Sequence, residues 1–195
     1  MIRIIPPESF KSIPWKNGKG TTSELAISQG GNLSEFDWRL SIASVTEDGE
    51  FSDFSGYLRN LILIEGNGID LQHYQGESEK QIDHLSSLLD FATFDGGCRT
   101  LGKLHNGPIK DLNLMTRAGK YDCHVETWVN HETRKLKLST LNFVFSLSGT
   151  TRMTNTDSQI IAEFPMQHLA CIDEFEGEMV SIPGEKVVFI GLKLV

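Results

Sequence analysis

Cysteine is scarce in this chain of 195 residues, with three copies at positions 98, 123 and 171. The number is odd and the spacing wide, so the chain has neither a disulfide framework nor a CxxC metal knuckle. A reduced, cytoplasmic compartment is the expectation. Long apolar runs are also missing. The longest purely aliphatic stretch, Leu61 to Ile64, falls far short of the roughly 20 residues that span a bilayer. The opening MIRIIPPESF has one basic residue and two prolines where a secretory leader would have its apolar stretch, so no signal peptide is expected. Positive charge is in deficit: 18 Lys and Arg against 26 Asp and Glu give a formal net charge of -8 at pH 7. Nucleic acids and anionic membranes both need a basic footprint, which counts against either as a partner. Asn32-Leu33-Ser34 fits a glycosylation sequon, read as chance in a cytoplasmic chain.

What remains is ordinary globular material, with 39% hydrophobic residues, 18 glycines and 6 prolines. That excludes a disordered or collagen-like chain. The length suits one compact unit or two small ones, with roughly 70% of the unfolded surface removable from water.

Period-2 patterns dominate. Over 36–45 (FDWRLSIASV), Phe36, Trp38, Leu40 and Ile42 fall on one face and Asp37, Arg39, Ser41 and Ala43 on the other. The denser run 58–65 ends at Gly66-Asn67-Gly68 and is followed by 69–75, which reads as strand, tight turn, strand. Further strands are expected at 23–29, 89–94, 98–104, 111–117, 121–130, 134–139, 141–148, 159–164, 168–173, 178–182 and 186–194. The best helical stretch, Lys80 to Leu89, is short and reads equally as loop plus strand. Many short strands between turn signals imply an all-β sandwich or barrel.

The halves echo each other. The strand beginning at Asn60 resembles the one beginning at Asn142, with 142 − 60 = 82 residues between them. Each leads through a polar strand and a loop to a short apolar strand ending in an acidic-Gly turn. This suggests two related β-barrels in one compact unit spanning 1–195, halved at 1–110 and 111–195, with N-terminal strands free to exchange between halves. No Pro- or Ser-rich linker separates them.

Three segments could carry chemistry. In Trp15-Lys16-Asn17-Gly18-Lys19-Gly20-Thr21-Thr22, two glycines flank a lysine, so backbone amides could approach a ligand closely. A P-loop fails, because Gly20 stands where Ser or Thr is needed and Ile13 where the first Gly is needed. A two-glycine turn with Trp15 as a core aromatic explains the same residues. In 37–41, Arg39 shares a face with Asp37 and Ser41. That face is either solvent or a barrel interior where the guanidinium could grip a carboxylate with both arms. In 111–117, Asp111, Asn113 and Met115 project together, a mixed surface suited to a small ligand or a short core strand. The six histidines include no His-x-His pair and no HExxH, so no metal and no other cofactor is expected. No G-x-S-x-G elbow occurs and the cysteines lack a nucleophile context.

Segments 15–27 (WKNGKGTTSELAI), 36–68 (FDWRLSIASVTEDGEFSDFSGYLRNLILIEGNG) and 111–115 (DLNLM), in this order and spacing, resemble the HutD/Ves family. The resemblance covers nearly the whole chain and is most specific in the first half. It implies a bicupin of RmlC-like jelly-roll architecture, associated in many bacteria with histidine utilisation. It also implies that Trp15, Asn17, Gly18, Gly20, Thr22, Arg39, Ser41, Asp111, Asn113 and Met115 occupy the motif positions, with Lys19 beside them on the loop. Lys19 departs from the family's usual glycine, and Ser23 stands where a basic residue is common. Metal-binding cupins resemble this fold but carry two histidines one residue apart, where this chain supplies only His73.

The function implied is metal-free binding of a small carboxylate metabolite of histidine catabolism, of the urocanate or formylglutamate kind, in a regulatory or accessory role. No catalytic residue is assigned. A second reading is a cupin isomerase or hydrolase acting on such an intermediate, with His124 and Glu126 or His73 as acid–base groups. A third is a protein-contact module whose interior is packed shut. A homodimer is compatible with all three. Arg39 is the strongest carboxylate contact on this view, and Arg39→Ala should weaken binding and barely move the melting temperature.

Overall fold

Strands account for almost every segment that alternates in the sequence. The computed structural model describes residues 1–15, 18 and 20–195. They form β1 (Ile2–Ile5), β2 (Lys11–Pro14), β3 (Gly20–Ile27), β4 (Trp38–Val45), β5 (Gly49–Glu50), β6 (Tyr57–Glu65), β7 (Ile69–Gln75), β8 (Ser78–Leu85), β9 (Phe91–Asp95) and β10 (Arg99–Leu104). These continue as β11 (Ile109–Arg117), β12 (Tyr121–Trp128), β13 (Glu132–Lys137), β14 (Leu141–Ser146), β15 (Thr150–Asn155), β16 (Ile160–Pro165), β17 (Leu169–Asp173), β18 (Met179–Gly184) and β19 (Val187–Leu194). The one helical element among the described residues is a 3-10 turn, Pro7–Ser9. None is long and apolar enough to cross a membrane.

Two units divide the chain. Residues 10–120 form one, and residues 1–9 with 121–195 the other. The changeover follows Lys120, beyond the division expected at 110/111, because β11 lies between β4 and β6 in the first unit's larger sheet. β1 is an edge strand of the other unit, pairing antiparallel with β17 from Ile2↔Ile172 to Ile5↔Leu169.

The first unit packs a six-stranded sheet, β2-β3-β4-β11-β6-β9, and a four-stranded sheet, β5-β10-β7-β8. Its core joins Ala43, Val45, Leu61, Leu63, Ala92 and Phe94 of the larger sheet to Ile69, Leu71 and Leu85 of the smaller. The stretch 80–89 contains no helix. Through the turn at Gly76 (φ 63°), β8 folds back on β7, and Leu85 is buried opposite Ile69.

The second unit repeats this plan. Advancing every label by eight turns 4-11-6-9 into 12-19-14-17 and 5-10-7-8 into 13-18-15-16, the orders observed there. The residue equivalence differs from the one expected from the asparagines. Asn142 shares its strand face with Val144, a core residue, whereas Asn60 lies on the face opposite the core residues Leu61 and Leu63. Matching the turns after each strand, 149 − 66 = 83, sets Arg59 against Asn142, since 142 − 59 = 83. Those two asparagines do separate work: Asn60 accepts from the Thr93 hydroxyl, and Asn142 bonds backbone groups of Ser139 and Ile172.

Candidate functional site

The inner face of the first unit's larger sheet is built in rows. Antiparallel register places Arg39, Met115, Arg59 and Phe94 side by side on β4, β11, β6 and β9. The next row is Glu24, Ser41, Asn113 and Leu61, and the third is Thr22, Ala43, Asp111 and Leu63. Directly opposed residues point to the same side of a sheet, so the polar series of β4 and β11 turn inward together. The face carrying Arg39 is therefore interior, and Arg39 is 5% exposed.

Above these rows lies a cavity of about 440 Å³, lined by Trp15, Thr22, Arg39, Ser41, Asn113 and Met115 among others. Six of the expected site residues thus converge. Asp111 shares the face but does not line the cavity and is fully buried. Gly18, exposed at φ 72°, and Gly20 do not line it either. Gly20 is a packing residue. A Cβ there would collide with the Ser44 carbonyl and press on the Trp15 ring at 3.0 Å. Trp15 is further held by its backbone bond to the Gly20 carbonyl (2.9 Å) and by donating its indole N–H to Thr22 Oγ1 (2.7 Å). Asn17 and Lys19, with Lys16, lie outside the described residues. Ser23 does not line the cavity.

Arg39 is already partnered. Its Nε–H donates to Glu24 Oε2 at 2.8 Å, and the two side chains are 6% and 12% exposed. A buried pair of this kind is costly to break from one side, by about 3–5 kcal/mol. The expectation that Arg39→Ala would spare stability is therefore corrected. Arg39 still faces the cavity, but as half of a neutral pair.

The unspent charge belongs to Arg59, which the sequence reading passed over. It is 3% exposed, lines the cavity and makes no hydrogen bond or ion pair with any described residue, Nε being buried without an acceptor. Its guanidinium carbon lies 5.0, 5.7 and 5.2 Å from the ring centres of Phe51, Phe54 and Phe94. Burial lowers its pKa from 12.5 to about 10, with Asp111 opposing and Arg39 reinforcing the shift, so it stays a cation at neutral pH. Asp111 is pushed the other way, up to about 7, by burial that the Arg59 charge only partly offsets. Both Asp111 oxygens and Asn113 Oδ1 lack donors. Of these only Asn113 lines the cavity, where an unpaired polar atom is what a polar ligand or water would satisfy. The signal for Arg59 was present in the sequence: it precedes Leu61 and Leu63 on one face of a run whose other face, Ile62 and Ile64, is also apolar.

The other candidates do not line the cavity. The buried His73 ring bonds Thr100 Oγ1 through Nδ1 (2.9 Å) and Asp83 Oδ2 through Nε2 (3.1 Å), against Phe94. With both nitrogens engaged and no second histidine beside it, the residues present do not fit a cupin metal centre. Among the described residues no group of three His, Cys, Asp or Glu is arranged to hold a metal ion. His124 and Glu126 pair with each other on β12 of the second unit, the histidine 62% exposed. None of the three cysteines, all among the described residues, is in a disulfide, and burial pushes the Cys123 and Cys171 thiols up to about 12.

The HutD family model matches residues 7–189. The chain belongs to the HutD family. Protein Ves of Escherichia fergusonii is 32% identical over 136 residues, 69% of this chain and 67% of that protein. The solved HutD of Pseudomonas fluorescens SBW25, described as a formate condition, is 26% identical with a TM-score of 0.83 over all of both chains. A cupin 2 conserved barrel domain protein from Leptotrichia buccalis superposes with a TM-score of 0.53 at 12% identity, covering 97% of this chain and all of that one. It supports the cupin-type β fold of this HutD-family chain and nothing about its ligand.

Proposed function

We propose that this HutD-family protein is a metal-free binding protein for a small carboxylate metabolite of histidine catabolism, seated in the first unit's cavity and acting in a regulatory or accessory role in the cytoplasm. The observation that carries the reading is Arg59. A buried guanidinium with no acceptor among the described residues is expensive to keep unless something supplies one, and a carboxylate supplies two oxygens in the right fork. Trp15, Phe51 and Phe54 give the cavity apolar walls, and Ser41 and Asn113 offer polar contacts that orient the ligand. The family name and the formate condition named for the Pseudomonas fluorescens relative point the same way.

Thermal shift and calorimetry with urocanate, formiminoglutamate and formylglutamate test this, on wild type and on Arg59→Met. Binding by at least one of them, lost in the variant, is the expected outcome. Binding that survives Arg59→Met, or no binding by any of the three, overturns the reading.

A further inference from the structure

We propose that Asp111 takes up a proton when a carboxylate seats beside Arg59, so that anion binding in this cavity is coupled to proton binding. The inference rests on the anion-binding reading above.

Asp111 lies two rows below Arg59 on the same inner face, with Asn113 between them on β11. It is fully buried between Ala43 and Leu63, and neither of its oxygens has a donor. Among the described residues, the charged and titratable groups facing this region are few. From β6 comes Arg59, and from β4 and β3 come Arg39 and its partner Glu24. The segment after β4 brings Glu47 and Glu50 to the cavity wall, and Glu50 is drawn outward to Arg99. From the facing sheet comes His73 with its partner Asp83. The Arg39 charge is matched by Glu24, which among the described residues leaves Arg59 as the cation that favours ionised Asp111.

A carboxylate bound to Arg59 cancels that attraction and places a like charge in the same low-dielectric interior. Desolvation then decides the state of Asp111, and a neutral carboxyl is the outcome. No bond is made or broken except that of the proton, which comes from solvent. The neutral acid is also a donor, which an ionised one cannot be, one row from the unpaired Asn113 Oδ1. With Asp111 already titrating near 7 in the free protein, the linkage has a definite sign. Below about pH 7 the carboxyl is protonated in both states and affinity is flat. Above it, each bound anion must bring a proton, and affinity falls by up to about tenfold per pH unit until the raised value of the complex is reached.

Formate and succinate are suitable probes. Calorimetry at about pH 6.5, 7.5 and 8.5, in two buffers of different ionisation enthalpy at constant ionic strength, reads both affinity and proton uptake. Wild type should show buffer-dependent heats and weakening affinity at the two higher values. Asp111→Asn should bind with the same affinity throughout and without buffer-dependent heat, which also separates Asp111 from His73. In labelled wild type at about pH 7.5, the Asp111 carboxyl ¹³C signal should move toward its protonated position on adding formate, a readout that needs no variant. Buffer-independent heats and an unmoved signal, with binding still lost in Arg59→Met, would remove the coupling and leave the anion site standing. Failure of both probes to bind wild type would overturn both.

Discussion

Replacing Arg59 with methionine should make the ligand-free protein more stable while abolishing its grip on anions. Lowering the Arg59 pKa from 12.5 to about 10 means that folding disfavours the charged form by about 3 kcal/mol, at 1.36 kcal/mol per pH unit. Three phenyl rings within 6 Å return part of this, roughly 0.5–2 kcal/mol each where desolvated. Methionine would keep much of the ring contact through its thioether, worth about 0.3–1.5 kcal/mol per contact, without the charge. The net expectation is a gain of about 1–3 kcal/mol. For a chain of this size each kcal/mol moves the melting temperature by roughly 2–4 °C.

The assay is a pair of melts with and without a carboxylate shown to bind. Wild type should gain about 2.7 kcal/mol at 100 times the dissociation constant, closing most or all of the gap to the variant, whose melt should not respond. If Arg59→Met is instead less stable than wild type by more than about 1 kcal/mol without ligand, the guanidinium is a structural element and the argument fails.

Two further outcomes follow from the same rows. Arg39→Ala should cost about 3–5 kcal/mol in urea unfolding by orphaning Glu24, and adding Glu24→Ala should recover most of that loss; a double variant whose cost equals the sum of the two single costs would show that the pair is not coupled. Because the folded-state pKa of Asp111 is raised from 3.8 to about 7, the native state binds the extra proton between these values. Its stabilising contribution is complete below about pH 4 and is lost as pH rises to 7, by about 4 kcal/mol in all. Asp111→Asn should flatten that part of the stability–pH curve in chemical denaturation, and an unchanged slope would place the titration on another group.

The fold was legible because alternation is a local property. Trp38-Arg39-Leu40-Ser41 fixes which side chains share a side before any partner strand is known. The strands outside the expected set are β1, β2, β5, β8 and β15: β2 is exposed at every position and β5 is two residues long, whereas β15 does alternate, with Thr151 and Met153 buried, but is polar at nearly every position. Which side faced the cavity was not legible, since both sides of β4 are buried and alternation cannot rank two interiors. The asparagine match between the halves went wrong for a related reason. Asn60 and Asn142 sit one residue out of phase, and a shift of one moves every side chain to the other face. Arg39 stood out because its neighbours are polar. Arg59, set in an aliphatic run, looked like the start of a core strand, yet that apolar setting leaves its buried Nε without an acceptor among the described residues. The Arg39–Glu24 pair depends on the register of β3 against β4 across a bulge between Glu24 and Ala26, which no single strand encodes.

The repeated topology also says why the interior of the first unit is open where the matching positions of the second are filled. Carrying the equivalence through the registers sets Ala43 against Trp128, Asp111 against Val187 and Asn113 against Phe189. Where the first unit has a methyl, a carboxyl and an amide, the second has an indole, an isopropyl group and a phenyl ring, each 3% exposed or less and joined in one apolar core. The comparison supplies its own experiment. Asn113→Phe copies the second unit's solution into the first. Overpacking costs about 1–3 kcal/mol, but an unpaired buried acceptor worth about the same disappears with the amide, and the cavity gives the ring room. Stability should therefore stay within about 2 kcal/mol of wild type while carboxylate binding is lost by occlusion. A folded Asn113→Phe protein that binds as wild type does would show that the ligand sits away from β11, and that the open rows of the first unit are not where it is held.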